Sequence, residues 1–374
     1  MSEWSNVNLA SLLSFGNGKS RPLDSGNIPV YGGNGIMSYV SHFNYDHETI
    51  IIGRVGAYCG ATYYENKPIW ISDNALSAKA VGEHNTKYLY YLLKNLDLNQ
   101  FAEGSSHPLL TQKLLNSIET KTALNPNEQK SIASVLSSLD DKIDLLHRQN
   151  KTLESMAETL FRQWFIEEAQ DEWPEKSLNQ YVELNKSSIS KKYDFKEIQY
   201  LDTGSLTKGK ISELQTMLLS EAPSRAKRLV NEFDIIISTV RPDQCHYGIC
   251  IDPPSNLVVS TGFCVISGKS ISPFFIYYLL TSEDMTEYLH SIAEGSTSTY
   301  PSLKPEDIGN VLFLYPGEEK LKNFHKLVGS YWNKIHNNYK KIQTLETLRD
   351  TLLPKLMSGE VRVQYAEQAI ASVA

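Results

Sequence analysis

The residue groupings that could do chemistry are few, and their spacing argues against most of them. Gly18-Lys19-Ser20 matches the end of a phosphate-binding loop, whose glycine-rich backbone cradles phosphate while the lysine reaches it. The leading glycine of Gly-x4-Gly-Lys-Ser belongs at the place of Leu13, and Pro22 disturbs the helix that must follow at once. Asp252-Pro253-Pro254 is similar to the Asp-Pro-Pro-aromatic turn of amino-methyltransferases. Its fourth residue is Ser255, so the ring that stacks on a target base is missing, and no glycine-rich cofactor loop accompanies it. Cys245, His246 and Cys250 make half a metal site, whereas structural zinc takes four ligands, so no metal is expected. His-Glu-x-x-His, Gly-x-Ser-x-Gly and Cys–His signatures are absent, and no catalytic residue is assigned.

What remains is the chemistry of recognition. Basic residues gather in turns beside small polar and aromatic neighbours. In the first part of the chain these are Lys19 and Arg21, then Tyr31-Gly32-Gly33-Asn34-Gly35, then Gly53-Arg54. Further on they are Lys208 and Lys210, then Ser224-Arg225-Ala226-Lys227-Arg228, then Thr239-Val240-Arg241-Pro242. Lysine and arginine reach phosphates, while arginine and asparagine pair bidentately with guanine and adenine edges. The candidate DNA contacts are therefore Lys19, Arg21, Tyr31, Asn34, Arg54, Lys208, Lys210, Arg225, Lys227, Arg228 and Arg241. Arg54 and Arg241 stand out because each follows an isoleucine-rich strand, which puts an arginine at the same place twice. Any such surface is local, because the whole chain carries −7 with pI near 5.8.

These turns need elements to hold them, and the elements come in duplicate. Tyr90-Tyr91-Leu92-Leu93 recurs as Tyr277-Tyr278-Leu279-Leu280, and Ile50-Ile51-Ile52 as Ile235-Ile236-Ile237. Ala102-Glu103-Gly104-Ser105 recurs as Ala293-Glu294-Gly295-Ser296, and Thr152-Leu153-Glu154 as Thr344-Leu345-Glu346. The four matches are collinear at a spacing of about 190 residues, too long for a solenoid, so the chain is a duplicated and diverged unit. Each unit begins with a globule. Thr49–Ile52, Ile69–Ser72, Asp234–Ser238 and Asn256–Ile266 read as strands. Lys87–Leu96 and Pro273–Leu280 read as helices capped by Thr86 and Ser272.

Each unit ends in a long helix. Ile132, Leu136, Leu139, Ile143, Leu146, Asn150, Leu153, Ala157, Leu160 and Trp164 step by four and three, a heptad seam with one polar member. The second copy runs Phe324, Val328, Tyr331, Ile335, Asn338, Ile342, Leu345, Arg349, Leu352 and Leu356, with a charge in one slot and Pro354 interrupting the last turn. A helix from Asn127 to Glu168 spans roughly 60 Å. An apolar stripe of that length needs a partner, and the other copy supplies one if the two pack antiparallel. The packing seam is assigned to Leu136, Leu139, Ile143, Leu146, Leu153 and Leu160 with Ile335, Ile342, Leu345 and Leu352. From Pro126 to Trp173 ten acidic and five basic residues concentrate the negative charge on the first helix. The acidity suits a protein partner there.

The whole predicts a mixed α/β protein: two pseudo-repeated α/β domains separated by two long antiparallel coiled-coil helices. The boundaries are 1–125 for the first recognition domain, 126–168 for the central spacer helix, and 169–317 for the second recognition domain. The C-terminal spacer helix takes 318–358 and a tail 359–374. A hydrophobic fraction of 41% excludes a wholly disordered chain. Four cysteines are too few for a disulfide scaffold. With neither a signal peptide nor a membrane-length apolar run, the expected location is cytoplasmic.

The chain resembles the specificity (S) subunit of type I restriction-modification enzymes over nearly its whole length. Pro126-x-Glu128-Gln129-x3-Ala133-x2-Leu136-x2-Leu139-Asp140-x-Lys142-Ile143, followed by Asn150-x2-Leu153-Glu154-x2-Ala157-x2-Leu160-Phe161-x2-Trp164-Phe165, looks like that family's central helix. Ile28-Pro29-Val30-Tyr31-Gly32-Gly33-Asn34-Gly35-Ile36 and Ile52-Gly53-Arg54-Val55-Gly56-Ala57-Tyr58 look like one class of its target recognition domains. Asp234-Ile235-Ile236-Ile237-Ser238-Thr239-Val240-Arg241-Pro242 with Ser260-Thr261-Gly262-Phe263 looks like another, and Leu352-Leu353-Pro354-Lys355-Leu356-Met357-Ser358-Gly359 is typical of its C-terminus. The resemblance implies a non-catalytic subunit that reads a bipartite asymmetric site in double-stranded DNA. Its helices would dock two adenine-methyltransferase (modification) subunits, joined by restriction (nuclease-translocase) subunits. S-adenosylmethionine, ATP and Mg then belong to the partners, and this chain holds no cofactor. The other reading of the residues is a non-catalytic coiled-coil adaptor whose globular domains bind protein or glycan.

Overall fold

The computed structural model describes residues 4–104, 108–190, 192–296 and 300–371. Ser105 of the repeated Ala-Glu-Gly-Ser motif and the end of the tail lie outside them. The chain divides into two compact units, Met1–His147 with Lys340–Ala374, and Arg148–Tyr339. The division falls within both long helices.

Unit 1 carries in order β1 (Trp4–Asn8), β2 (Leu13–Asn17), β3 (Ile28–Gly32), β4 (Gly35–Val40), β5 (Thr49–Gly53), β6 (Thr62–Glu65), β7 (Trp70–Ile71) and β8 (Ala75–Ala80). Then come α1 (Thr86–Asn95), α2 (Gln112–Ser117), β9 (Glu119–Ala123) and the long helix α3 (Pro126–Arg162), which continues into unit 2. Unit 2 adds β10 (Glu175–Ser177), β11 (Val182–Leu184), β12 (Glu197–Leu201), β13 (Leu206–Thr207), β14 (Lys210–Ile211), β15 (Gln215–Leu218) and β16 (Ala226–Leu229). It goes on with β17 (Ile235–Ser238), β18 (Tyr247–Ile249), β19 (Leu257–Ser260), β20 (Phe263–Gly268), α4 (Pro273–Thr281), α5 (Glu283–Glu294), α6 (Pro305–Gly309) and β21 (Leu312–Leu314). The second long helix α7 (Glu318–Ser358) returns to unit 1, where α8 (Val363–Ala371) follows.

The duplication is topological as well as sequential. The main sheet has the order β2-β8-β5-β6 in unit 1 and β11-β20-β17-β18 in unit 2, antiparallel throughout. A second sheet has the order β4-β3-β7 in one and β15-β12-β19-β16 in the other, each with one parallel pair, β3 with β7 and β12 with β19. An antiparallel ribbon, β1 with β9 or β10 with β21, ties the first strand to the last.

The isoleucine strands are central, and their alternation explains why they read as unbroken apolar runs. Side chains two apart share a face. Ile50 and Ile52 join α1 and the helices in one core, while Ile51 joins Tyr31, Ile69 and Ile71 beneath the second sheet. In the same way Ile235 and Ile237 face α4 and the helices, while Ile236 packs with Leu201, Val259 and Val265. Two sequence expectations need correction. Asn256–Ile266 is two strands, because Thr261-Gly262 turns the chain from one sheet into the other. The α1 cap is Asn85, whose side chain accepts from the Tyr88 N–H at 2.8 Å; Thr86 is already helical.

The long helices run antiparallel: as α3 advances from Asp140 to Asn150, its partner in α7 steps back from Arg349 to Asn338. The seam residues Ile132, Leu136, Leu139, Ile143, Leu146, Ile342, Leu345, Leu352 and Leu356 are buried in unit 1, and Ala157, Phe324, Val328 and Ile335 in unit 2. Leu153 and Leu160 are partly covered. Arg349 is compatible with its seam slot because Nη1 donates to Asp140 Oδ1 at 3.0 Å and Nε to Asp350 Oδ1 at 2.9 Å. The other Asp140 oxygen accepts from the Tyr91 hydroxyl of α1 at 2.6 Å, so one carboxylate joins three helices. Pro354 does not end α7, which runs through it to Ser358. Burial of Leu352, Leu353, Leu356 and Met357, each worth about 1.5–3 kcal/mol, outweighs the ~3 kcal/mol that an interior proline costs. At its other end α3 stops at Arg162 and gives way to a π turn, Gln163–Glu167.

Candidate nucleic-acid interface

In unit 1 several candidates converge on the turn between β7 and β8. Arg54, the residue after β5, donates its N–H to the Asn74 carbonyl at 3.0 Å, and its own carbonyl accepts from Leu110 at 2.9 Å. The Lys19 N–H donates to Ile71 and the Gly18 N–H to Ala75, which lays that segment along the same turn. The β3–β4 turn comes in over Gly53: a Cβ there would meet the Gly33 carbonyl at 2.7 Å and the Tyr58 carbonyl at 2.4 Å. Only glycine permits that approach, and it brings Asn34 beside Arg54. Lys19, Arg21 and Asn34 are exposed and Arg54 is half-buried, its Nε enclosed with no hydrogen-bond partner among the described residues. Tyr31 departs from the expectation. It is 6% exposed, and its hydroxyl donates to Glu65 Oε1 at 2.6 Å. Burial, then that carboxylate, push its hydroxyl well above the ordinary 10. The ring is part of the core beneath the second sheet.

In unit 2 the corresponding turn is Thr261-Gly262. The Thr261 N–H donates to the Arg225 carbonyl at 2.8 Å and the Thr239 N–H to Gly262 at 2.8 Å, so the Arg225 and Arg241 segments flank one turn. Arg225 is exposed and lies 3.9 Å from Asp202. Lys227 is exposed on β16, and Arg228 is half-buried with its Nε enclosed. Arg241 is exposed, with its guanidinium 4.4 Å from the centre of the Tyr300 ring. Lys208 and Lys210 flank the tip of the β13–β14 hairpin, which the Lys208 N–H ties to the Cys245 carbonyl at 2.9 Å. Lys210 also acts on Glu154 of α3, whose carboxyl burial raises while the lysine charge opposes.

The register corrects the equivalence read from the sequence. Gly53 pairs with Ala75 and Ser238 with Phe263, so Arg54 matches Thr239. The bonds on either side agree. Leu110 donates to Arg54 as Leu303 donates to Thr239, and Gly56 donates to Pro108 as Arg241 donates to Pro301. The two arginines therefore stand two residues apart on a shared framework. Sequence reading missed this offset, and it missed Tyr300 and Asn74, which are adjacent to the arginines only in space. The half metal site dissolves into other bonding. His246 Nδ1 lies 2.6 Å from the Leu206 carbonyl and Nε2 3.1 Å from Gln244, while Cys250 is buried. Gly18-Lys19-Ser20 opens no helix, since the chain there runs beside Ser72. No helix of the described residues is long and apolar enough to cross a membrane.

Two topologically matched α/β units, each with an arginine in the loop that leaves its central strand, define a duplicated two-unit protein. Residues 1–155 match the type I restriction modification DNA specificity domain. The chain is 30% identical over 307 residues to the specificity subunit of the type I restriction enzyme MjaIX of Methanocaldococcus jannaschii, covering 75% of this chain and 70% of that one. It is 26% identical over 303 residues to the MjaVIII specificity subunit of the same organism, covering 74% and 70%. The crystal structure of the type I restriction-modification system S subunit from M. genitalium shares the fold, with a TM-score of 0.66 at 18% identity over 95% of this chain and 96% of that one. The chain belongs to the family of type I restriction enzyme specificity subunits, and its place there is that of a non-catalytic subunit.

Proposed function

We propose that this chain gives a type I restriction-modification complex its DNA specificity, reading a bipartite asymmetric site with two recognition domains, residues 1–125 and 169–317. Residues 126–168 and 318–358 are the spacer helices, and 359–374 the tail. The helices dock two adenine-methyltransferase subunits and, with them, nuclease-translocase subunits, which carry S-adenosylmethionine, ATP and Mg in the cytoplasm. Lys19, Arg21, Asn34 and Arg54 serve one half-site, and Lys208, Lys210, Arg225, Lys227, Arg228 and Arg241 the other.

The observation that carries this reading is the two-residue offset of Arg54 and Arg241 on one repeated framework. Related scaffolds with differently placed base-reading groups are what two unlike half-sites require. With a net charge of −7 the chain has little overall field to hold DNA, so the chain alone binds weakly and the affinity of the complex draws on its partners. Methylation also needs the adenine out of the stack, which is the work of a partner enzyme. The test is selection from random duplex DNA by the full chain co-purified with an adenine-methyltransferase subunit. The reading expects two unlike short sequences separated by a fixed run of unselected bases. Enrichment of one continuous sequence, or of none, contradicts it.

A further inference from the structure

Arg241 occupies a backbone position that the other unit gives to glycine. Register equates it with Gly56: each donates its N–H to a proline carbonyl, Gly56 to Pro108 at 3.1 Å and Arg241 to Pro301 at 2.9 Å. Gly56 is the first residue of a short 3-10 turn, and Arg241 immediately precedes one. Gly56 has φ +75° and Arg241 φ +50°. Glycine adopts this left-handed region freely, whereas an arginine Cβ crowds the neighbouring carbonyl. Cys245, at the far end of the same turn, has φ +54°. A strained residue kept where glycine would serve points toward function.

The fold makes little use of the side chain. Arg241 is exposed and its guanidinium makes no hydrogen bond or ion pair among the described residues. It lies over the ring of Tyr300, which is itself 53% exposed. A guanidinium resting on a ring is held by its face and leaves its N–H donors free along the edge. Phosphate contact needs charge alone, which exposed Arg225 and Lys227 already supply on the flank of the same turn.

We infer that Arg241, oriented by Tyr300, is a specificity-determining residue of unit 2, and that it reads a guanine. Guanine O6 and N7 present two acceptors to the major groove at the spacing of the guanidinium fork. The inference rests on the proposed DNA reading, and the experiment separates the two. The full chain with its methyltransferase subunits is tested for binding to its selected site; if the wild type selects no site, the DNA reading itself has failed before any variant is made. With a site in hand, Arg241→Gly is expected to unfold at the same or a higher temperature, since glycine relieves the strain. Its affinity for the site should fall about 5- to 150-fold, with preference lost at one G·C pair in one half-site only. Arg241→Lys should lose the same preference although it keeps the charge. 7-Deazaguanine at that pair, lacking N7, should weaken the wild type and leave Arg241→Gly unaffected. A lowered unfolding temperature for Arg241→Gly overturns the inference in favour of a structural role. A uniform loss over all sequences that lysine restores overturns it in favour of a phosphate contact.

Discussion

Exchanging the buried asparagine pair between the long helices gives a sharp test of how the seam is held. Asn338 Nδ2 donates to Asn150 Oδ1 at 2.8 Å, and the two residues are 0% and 2% exposed. The internal duplication equates these positions with Ile342 and Leu146, which are buried in unit 1. This is the one bond between them, since Asn150 Nδ2 and Asn338 Oδ1 are buried without partners among the described residues. Asn150→Ile alone leaves Asn338 Nδ2 only the Gln149 Oε1 contact at 3.5 Å, and Asn338→Leu alone leaves Asn150 Oδ1 without its donor. An unsatisfied buried polar group costs about 1–3 kcal/mol. For a unit of roughly 200 residues this lowers the unfolding temperature by about 2–4 °C per kcal/mol. The double variant removes both partners and installs the pair the other unit already uses, so it is expected within about 1 kcal/mol of the wild type or above it. The double-mutant cycle then gives a favourable coupling of at least about 1 kcal/mol. Calorimetry or denaturant unfolding of the four proteins reads it out. Neutral single changes, or a double variant that loses the sum of the two, would refute the argument that this hydrogen bond couples the two positions.

Three further outcomes follow from the geometry. Arg349→Leu makes the part of the seam in unit 1 apolar but leaves Asp140 with only the Tyr91 hydroxyl, so it should destabilise unit 1 by about 1–3 kcal/mol in thermal unfolding despite the better heptad. Asp24 accepts from the Ser41 hydroxyl and, at 2.9 Å, from the Ser41 N–H, which lowers its carboxyl to about 2. A depressed carboxylate stabilises the fold above its unfolded value and loses that contribution as pH falls through about 2. Carbon NMR should therefore find Asp24 still ionised at about pH 3, where an ordinary carboxylate has largely protonated, and a midpoint near the ordinary 3.8 would contradict the assignment. Arg54→Ala should weaken binding by about 1–3 kcal/mol through the half-site that Arg241→Gly leaves intact, as read by competition with half-site variants; equal loss at both halves would count against separate reading.

Much of this was legible in the sequence because the signals are periodic. Heptad spacing named the seam, and the repeated isoleucine triplets marked the central strand of each main sheet. The triplets are buried on both faces, so they form unbroken apolar runs that stand out from their surroundings. What escaped depends on register. The equivalence of Arg54 with Thr239 is set by hydrogen bonds to turns distant in the chain, and a triplet match cannot say how many residues of the following loop belong to it. Tyr31 sits among glycines and looked like a loop aromatic, yet strand alternation turns it inward. Arg349 looked like a defect in the heptad because its partner Asp140 lies on the other helix. Pro354 looked like a stop because local propensity cannot weigh the apolar residues buried around it.

The central claim is that this chain tells a methyltransferase where to act, and methylome sequencing of cells with and without the gene tests it most directly. N6-methyladenine is expected at one bipartite, asymmetric sequence with a fixed unread spacer, present with the gene and gone without it. An unchanged methylome on deletion, or loss of methylation at a continuous sequence instead, would contradict it.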